Sequence, residues 1–322
     1  MKPRILLTGK TGQIGSELLR LLPEIGHVFA PDRHELDMLS AENIRQVVRY
    51  ICPKLIINCA AYTAVDAAET QADKCYAMNA TAPAVFAEEV KKIGGAIVHY
   101  STDYVFDGSK RTSYVETDLA SPINVYGKSK LAGEEAIASS GVPHLILRTA
   151  WVYSREGRNF LRTILRLATE KEQLRIIRDQ SGAPTWSRVV AEATVEVLSQ
   201  LLRQGGAALS LSKAGGIYHL TAQGKTTWYE FACAILEKAN QTGPEVPWFA
   251  EATRRNPIIA KNVIPISSQE YPTQAVRPAF SVLSNERFIQ TFGIELPDWR
   301  TQLRDMFGSK AMSLQTAAVG KR

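Results

Sequence analysis

Hydrophobic and polar positions alternate in a regular order through the first 150 residues. Five short apolar segments have the length and composition of buried strands: RILLTG, HVFAPD, KLIINCAA, AIVHYSTD and HLILRTAWVY. Between them, GSELLRLLPEIG, SAENIRQVVRYI and APAVFAEEVKKIG carry the apolar spacing of amphipathic helices. Ser40 is a suitable N-cap for the second helix, and Gly94 ends the third. This repeated order predicts an α/β fold, a Rossmann-like doubly wound parallel sheet.

The pattern changes after about residue 155. NFLRTILRLATE and VVAEATVEVLSQLL predict amphipathic helices, GIYHLTA a strand, and TWYEFACAILEKAN a helix with Thr226 or Thr227 as its N-cap. Prolines accumulate between residues 244 and 297 and favour loops. We predict a dinucleotide-binding domain at residues 1–155 and a smaller mixed α/β substrate-binding domain at 156–307, with the chain crossing back to the first. Residues 308–322 are predicted to be a disordered tail.

The composition of the chain limits the classes of function that it could have. The 322 residues are 45% hydrophobic and 22% charged, without an apolar run long enough for a membrane span or the pattern of a secretory signal, so we expect a cytoplasmic protein. The net charge of +6 suits a polyanionic ligand, but no basic run with aromatic residues predicts nucleic-acid binding. The four cysteines show no CxxC spacing, and no His, Cys or carboxylate cluster predicts a metal site.

A glycine loop, TGKTGQIG, lies between the first predicted strand and the first helix. Gly9 suits a tight turn, Gly12 allows a pyrophosphate to approach the backbone, and Gly15 allows close helix–strand packing. The free N–H groups of the following helix favour phosphate. Asp32, at the end of the second strand, is placed to bind the adenosine ribose and favours NAD, whereas Arg33 can bind the 2′-phosphate of NADP. The two residues therefore give opposite indications of cofactor preference.

The segment NVYGKSKLAGEE places Tyr126 four residues before Lys130, on one face of a predicted helix. A phenol beside an ammonium is a useful acid–base pair, although the same spacing also occurs on solvated helix surfaces. Because an ammonium favours the phenolate, Lys130 is expected to lower the pKa of Tyr126. Ligands are expected to approach this helix face over its small residues, which are Gly127, Ser129, Ala132 and Gly133. Two glutamates, Glu134 and Glu135, are expected to face solvent.

Several segments together resemble one enzyme family. They are GKTGQIG, NCAAYTAVDAAE, HYSTDYVFDG, SPINVYGKSKLAGE, RTAWVY, DQSGAPT and YPTQAVRP, spread over residues 9 to 278. In this combination the chain resembles the dTDP-4-dehydrorhamnose reductases of the extended short-chain dehydrogenase/reductase superfamily. The resemblance implies NAD(P)H-dependent reduction of the C4 keto group of dTDP-4-dehydro-L-rhamnose to dTDP-L-rhamnose, the last step of dTDP-rhamnose synthesis for cell-surface polysaccharide.

The resemblance also implies roles for single residues. Tyr126 would donate a proton to the C4 keto oxygen, Lys130 would hold the nicotinamide ribose, and Thr102 would hydrogen-bond the keto oxygen. Besides the residues of the glycine loop and Asp32 or Arg33, the cofactor would contact Gln13, Ile14, Asp37, Met38, Ala61, Tyr62 and Thr63. NADPH is the expected cofactor, with NADH also accepted.

The nucleotide-sugar would contact Thr102, Asp103, Trp151 and Arg277. Two of these assignments, and the family segment DQSGAPT, have simpler alternatives. Trp151 also fits a core aromatic at a strand end, Arg277 fits a surface residue, and DQSGAPT fits a turn fixed by Gly182 and Pro184. His99 is interpreted as a strand histidine without a catalytic task, because the Tyr–Lys pair leaves none for it.

Other functions in the same superfamily remain as alternatives. A 4,6-dehydratase needs a carboxylate after the Thr-Asp pair, where this chain has Tyr104. A talose-forming reductase shares all the motifs, and the regulatory beta subunit of methionine adenosyltransferase is a non-catalytic relative. Glu17 matches an interface carboxylate of metal-bridged dimers, but Arg188 stands where a second acid is expected. We therefore expect a monomer or a metal-independent homodimer.

Overall fold

A computed structural model describes residues 2–203, 207–308 and 315–316 of the chain. Its first part contains β1 (Arg4–Thr8), α1 (Gln13–Leu21), β2 (His27–Phe29), α2 (Ala41–Ile51), β3 (Leu55–Asn58), α3 (Val65–Ala68), α4 (Ala72–Tyr76), α5 (Ala82–Lys92), β4 (Ala96–Thr102), α6 (Val125–Ser140), β5 (His144–Thr149) and β6 (Val152–Tyr153). A π-helical segment, Ala77–Thr81, joins α4 to α5, and a 3-10 turn, Asp103–Val105, follows β4.

The second part is built from shorter elements. They are α7 (Phe160–Glu170), β7 (Gln173–Ile177), β8 (Ser181–Gly182), β9 (Thr185–Trp186), α8 (Ser187–Arg203), α9 (Ala207–Ala214), β10 (Gly216–His219), β11 (Thr226–Thr227), α10 (Trp228–Ala239), α11 (Pro247–Ala252), β12 (Asn262–Ile266), α12 (Glu286–Phe292), β13 (Ile294–Glu295), α13 (Trp299–Phe307) and β14 (Gln315–Thr316). The proline-rich stretch thus carries two helices and two strands, and is more regular than its composition predicts.

The central sheet is parallel throughout and has the strand order β10-β5-β4-β3-β1-β2. The chain moves from β1 outward to β2 and then returns to the other side of β1 with β3. The fold class predicted from the sequence is therefore confirmed. Because the strand order reverses between β1 and β3, the loops that follow these strands separate and leave a crevice at their carboxyl ends.

Side chains of the sheet alternate between two cores. In β1, Ile5 and Leu7 enter one core and Leu6 the other, and β3 divides Ile57 from Ile56 in the same way. The first core includes residues of α1 and α8, and the second those of α2, α5 and α6. A strand buried on both faces reads as a continuous apolar run, which is why these segments could be recognised in the sequence.

The predicted helix ends agree with the structure at several points. Ser40 caps α2 by accepting a hydrogen bond from the backbone N–H of Asn43. Of the two candidates, Thr227 is the N-cap of α10, and it forms a capping box with Glu230. Gly94 follows α5 in the left-handed region, with φ of 64°. Among the described residues, no helix is both long and apolar enough to cross a membrane.

The sheet takes its sixth strand, β10, from beyond residue 155, and α8 lies against α1 on the same side. The division of the chain at residue 155 remains a prediction. Of the predicted tail, residues 309–314 and 317–322 lie outside the described residues. The two described residues between them, β14, pair antiparallel with β13.

Candidate active site

A cleft of about 770 Å³ opens at the carboxyl ends of β1, β3, β4 and β5, at the point where the strand order reverses. Its volume falls in the range typical of small-molecule sites. Twelve of the residues predicted from the sequence line it: Gly9, Gly12, Gln13, Ile14, Gly15, Ala61, Thr63, Thr102, Asp103, Tyr126, Lys130 and Trp151. The other predicted residues, Asp32, Arg33, Asp37, Met38, Tyr62 and Arg277, lie outside its lining.

The glycine loop has the shape of a phosphate cradle. Gly9 has φ of 68°, and a Cβ on Gly15 would lie 2.1 Å from the Gly9 carbonyl oxygen, so the turn closes only with glycine at both positions. Helix α1 begins after Gly12, and no side chain caps its first N–H groups. These groups therefore point into the cleft as donors, with the positive end of the helix dipole behind them.

Buried polar atoms of the cleft are consistent with a polar ligand. Gln13 Oε1, Ser101 Oγ, Asp103 Oδ2 and Thr149 Oγ1 have no hydrogen-bond partner among the described residues. Buried polar atoms are ordinarily paired, so four unpaired atoms around one cleft indicate groups meant for a ligand. Together with the glycine cradle, this lining fits a dinucleotide cofactor.

Helix α6 places Tyr126 beside the end of β4. Asn124 caps the helix through the Gly127 N–H, and its own amide donates to the Val276 carbonyl at 2.8 Å. A Cβ on Gly127 would lie 2.1 Å from the Tyr104 carbonyl oxygen, so glycine brings α6 against the turn after β4. The Thr102 hydroxyl at that strand end acts on the Tyr126 phenol and lowers its pKa, but by less than burial raises it. Burial raises the pKa of Tyr126, contrary to the lowering expected from Lys130.

Lys130 is 2% exposed and points toward the sheet. Its Nζ donates to the Tyr100 carbonyl at 2.6 Å and lies 3.1 Å from Nε2 of His99. Burial lowers the pKa of the Lys130 amine to about 8, so its charge changes within the working range of an enzyme. The expected effect on Tyr126 fails because the amine is held by β4, and burial dominates at the phenol.

The rest of the α6 face differs from the sequence expectation. Gly133 lies against the protein rather than a ligand, since a Cβ there would meet the Asn79 carbonyl oxygen at 2.1 Å. Glu134 is 1% exposed and does not face solvent. It accepts a bidentate pair of hydrogen bonds from Arg148, the shorter at 2.6 Å. This buried ion pair joins α6 to β5 and is invisible to a helical-periodicity argument, because both residues are charged.

Two tryptophans form part of the cleft wall. The rings of Trp151 and Trp228 stack 3.4 Å apart and nearly parallel. Trp151 has φ of 47°, an uncommon conformation for a bulky residue, and it is partly exposed rather than a core aromatic. A Cβ on Gly182 would lie 2.3 Å from the Trp151 ring. The segment DQSGAPT therefore contributes the glycine against which this ring packs, in the short strand β8.

Arg277 is held by an ion pair. Its Nη2 donates to Asp66 Oδ2 at 2.6 Å, and its guanidinium also bonds the Tyr104 phenol. The backbone N–H of Ala275 donates to the same Asp66 carboxylate. The loop YPTQAVRP is thereby tied to α3. Contact of Arg277 with a diphosphate remains a prediction, and it requires this guanidinium to share or leave Asp66.

The adenosine end of the crevice is shaped by a turn after β2. The Asp32 carboxylate accepts hydrogen bonds from the backbone N–H groups of His34 and Glu35, which lower its pKa. Arg33 is exposed at the tip of this turn. Lys10, which the sequence analysis did not single out, donates to the Ala30 carbonyl at 2.8 Å and so brings a second cation to the end of β2.

Asp103 is a buried carboxylate in the lining of the cleft. It is 2% exposed, and burial raises its pKa to about 6 although Ser281 and Thr102 hydrogen-bond it. The folded-state pKa therefore lies above the unfolded value of about 3.8. Between these two values the folded protein binds more protons, so the free energy of unfolding falls as pH rises through this window, by up to about 3 kcal/mol.

We expect Asp103→Asn to stabilise the protein at neutral pH. The amide keeps the shape and carries no charge. At about pH 7.5 the free energy of unfolding of the variant should therefore exceed that of the wild type by about 1–3 kcal/mol, and at about pH 4 the two should be nearly equal. Urea denaturation at both pH values measures this. A variant less stable than the wild type at both would show that the hydrogen bonds of Asp103 outweigh its burial.

Some residues of the cleft were missed because no sequence signal marks them. They include Met78, Ser101, Thr149, Glu156, Arg158, Phe160 and Trp228. Ser101 is an exception, because it lies within the recognised segment HYSTDYVFDG and could have been included. Trp228 follows an identified N-cap, but only the three-dimensional contact with Trp151 relates it to the site.

A glycine cradle at the sheet's switch point and a Tyr–Lys pair beside Thr102 at the same edge define a nicotinamide-dependent reductase of the short-chain dehydrogenase type. The family described as RmlD substrate binding domain matches residues 1–312. The chain belongs to the dTDP-4-dehydrorhamnose reductase family.

Relatives and solved structures support this assignment along nearly the full chain. The sequence is 46% identical to a dTDP-4-dehydrorhamnose reductase of Burkholderia thailandensis over 297 residues, 92% of this chain and 95% of the relative. It is 40% identical to the Escherichia coli K12 enzyme of the same name, over 94% and 96% of the two chains. The crystal structure of the Bacillus anthracis enzyme in complex with NADP is 34% identical with a TM-score of 0.82, covering 95% and 99%.

Proposed function

We propose that this protein reduces the C4 keto group of dTDP-4-dehydro-L-rhamnose to give dTDP-L-rhamnose, using NADPH and also accepting NADH. The observation that carries the proposal is that Thr102, Tyr126 and Lys130 line the same cleft as the glycine loop, with Lys130 one helical turn after Tyr126. The reductases named among its relatives support the substrate, and the NADP complex of a relative supports the cofactor.

The site's chemistry fits ketone reduction. The bound cofactor supplies the hydride. Addition of hydride to a ketone creates an alkoxide, which needs hydrogen-bond donors and a proton at once. Thr102 donates a hydrogen bond to the keto oxygen, and Tyr126 transfers its proton. Because burial raises the pKa of the phenol, Tyr126 keeps that proton until the alkoxide, a far stronger base, forms.

The remaining contacts are those that the family resemblance implies, and the cleft lining supports most of them. The glycine loop, with Gln13 and Ile14, binds the cofactor phosphates, and Ala61, Tyr62 and Thr63 follow β3 alongside it. Asp103 and Trp151 bind the sugar-nucleotide from the opposite side. The Trp151–Trp228 stack offers an aromatic face for a base or sugar ring. Arg277 takes a diphosphate oxygen when it is released from Asp66.

Direct turnover tests the function. Purified protein, NADPH and enzymatically prepared dTDP-4-dehydro-L-rhamnose should show loss of the nicotinamide absorbance and formation of dTDP-L-rhamnose, identified by NMR of the sugar. A talose product would keep the reductase chemistry but change the stereochemical assignment. Absence of turnover with intact cofactor binding would favour the non-catalytic, regulatory-subunit alternative.

Cofactor preference gives a separate prediction. Asp32 and Arg33 act in opposite directions, so less than about a hundredfold preference between NADPH and NADH is expected. Arg33→Ala should weaken NADPH alone, because a charge-assisted hydrogen bond to the 2′-phosphate contributes about 1.5–3 kcal/mol. Kd values for both cofactors measure this, with Arg4→Ala as an exposed control on β1. Equal losses for the two cofactors would remove Arg33 from the 2′-phosphate site.

We also infer a cytoplasmic protein that works as a monomer or a metal-independent homodimer. Burial raises the pKa of Glu17, the carboxylate expected at a metal-bridged interface, and Arg20, 3.4 Å away, and Arg188 oppose this only in part. Nearby cations make this carboxylate a poorer site for a divalent ion. Light scattering with and without a chelator tests this, and a chelator-dependent change in mass would contradict it.

A further inference from the structure

Behind Lys130, a row of buried polar side chains crosses three neighbouring strands. Thr8 of β1 is in register with Asn58 of β3, which is in register with His99 of β4. All three are at most 1% exposed, and they lie on the face of the sheet against which α6 packs. Most buried residues of these three strands are apolar, so three polar side chains in register and almost fully buried are unusual.

The groups at the two ends of the row determine which atom donates and which accepts in each of its hydrogen bonds. The Ala60 N–H donates to Thr8 Oγ1 at 3.1 Å, so the Thr8 proton is free to donate to Asn58 Oδ1 at 2.6 Å. The Asn58 amide nitrogen, which can only donate, lies 3.0 Å from His99 Nδ1. His99 Nδ1 therefore accepts, and the neutral imidazole carries its proton on Nε2.

That Nε2–H points at the Lys130 amine, 3.1 Å away. An ammonium has only donors and opposes this N–H, whereas a neutral amine accepts it and still donates to the Tyr100 carbonyl. Turning the Asn58 amide around would reverse the preference. It would, however, point two donors at Thr8 and leave the Thr8 proton without a partner among the described residues, which is unfavourable in a buried site.

We propose that Thr8, Asn58 and His99 are positioning residues that control the charge of Lys130, by directing the N–H of His99 at its amine nitrogen. The control of the lysine charge does not depend on the proposed function; only its consequence for the reaction rests on that function. Once Tyr126 has given its proton to the product oxygen, the phenolate is reprotonated at the expense of Lys130, and solvent later restores the lysine proton. The neutral amine left in between is stabilised by the His99 donor already aimed at it.

Other groups around Lys130 do not replace His99 in this role. Burial raises the pKa of the Cys59 thiol after β3 and of the Cys75 thiol of α4, so both stay neutral. On α6 itself, Glu134 is paired with Arg148, and Tyr126 keeps its proton. Burial and the neighbouring lysine likewise lower the pKa of His99, which keeps the imidazole neutral.

The tautomer of His99 can be measured without cofactor or substrate. In the full chain with ¹⁵N-labelled histidine, long-range ¹H–¹⁵N spectra distinguish an Nε2–H from an Nδ1–H imidazole, and the His99 signals are those lost in His99→Asn. The Lys130 charge is followed through its ¹³Cε shift against pH, assigned by Lys130→Met. We expect a single Nε2–H tautomer in the wild type, and the Nδ1–H tautomer would overturn the proposal.

Asn58→Asp provides the decisive variant. A carboxylate can only accept, so it should move the His99 proton to Nδ1 and free Nε2 to accept from the lysine ammonium. The Lys130 midpoint should then rise by about 1 pH unit or more. Asn79→Asp is the matched control: it is also buried near α6, but outside the row, and should leave the Nε2–H tautomer unchanged. A switched tautomer with an unmoved Lys130 midpoint would overturn the proposal.

Thr8→Val serves if Asn58→Asp does not fold. Valine keeps the shape and removes the hydroxyl that orients the Asn58 amide, so a mixture of the two His99 tautomers is expected. A pure Nε2–H tautomer in this variant would contradict the assigned row. None of these measurements needs turnover. They therefore test the proposal even if the substrate assay fails.

Discussion

Tyr126→Phe lowers the rate of hydride transfer to the keto-sugar by about 10²–10⁴-fold and leaves cofactor affinity unchanged. In the proposed reaction the phenol is the proton donor, and phenylalanine keeps the ring whose centroid lies 5.6 Å from that of Tyr104. Removal of one oxygen atom therefore tests the donor without disturbing the packing of α6. Single-turnover kinetics at saturating NADPH and substrate give the rate, and cofactor titration gives the affinity.

Tyr104→Phe is the discriminating control for this result. Tyr104 also lines the cleft, but its phenol is bonded to Arg277 instead of facing Thr102. We expect a much smaller loss of rate in this variant than in Tyr126→Phe. If Tyr126→Phe keeps more than about a third of the wild-type rate, or if Tyr104→Phe is the more damaged, the assignment of the donor is wrong.

Lys130→Met weakens cofactor binding and moves the alkaline limit of activity to higher pH, at a rate reduced by about 10²-fold or more. Burial lowers the pKa of the amine to about 8. The protonated lysine is the working form, so the wild-type rate should fall as pH rises through about 8. Methionine preserves much of the stem without a charge. In the variant, the fall should move to higher pH, where the phenol itself ionises.

Single-turnover rates against pH, with cofactor Kd values in parallel, measure both effects. Lys128→Met is the matched control: Lys128 lies on the same helix two residues earlier and is exposed, so it should keep the wild-type pH profile. An unchanged alkaline limb together with unchanged cofactor affinity in Lys130→Met would reduce Lys130 to a structural lysine, and the pair would lose its mechanism.

Local sequence patterns were sufficient for much of this molecule. Strands buried on both faces appear as continuous apolar runs, and amphipathic helices as apolar residues three and four positions apart, because each pattern is repeated within a few residues. The caps at Ser40 and Thr227 were recognisable for the same reason. The glycine spacing and the Tyr126–Lys130 interval are likewise local, and the structure brings both motifs to one cleft.

The tertiary structure decided the features that depend on distant residues. The sixth strand, the Trp151–Trp228 stack and the Arg277–Asp66 ion pair join segments separated by tens to hundreds of positions, which no periodicity encodes. The ionisation of the site was also beyond the sequence. The spacing of Tyr126 and Lys130 predicted a lowered phenol pKa, but removal of both groups from water dominates their charges, and burial is set by the whole fold.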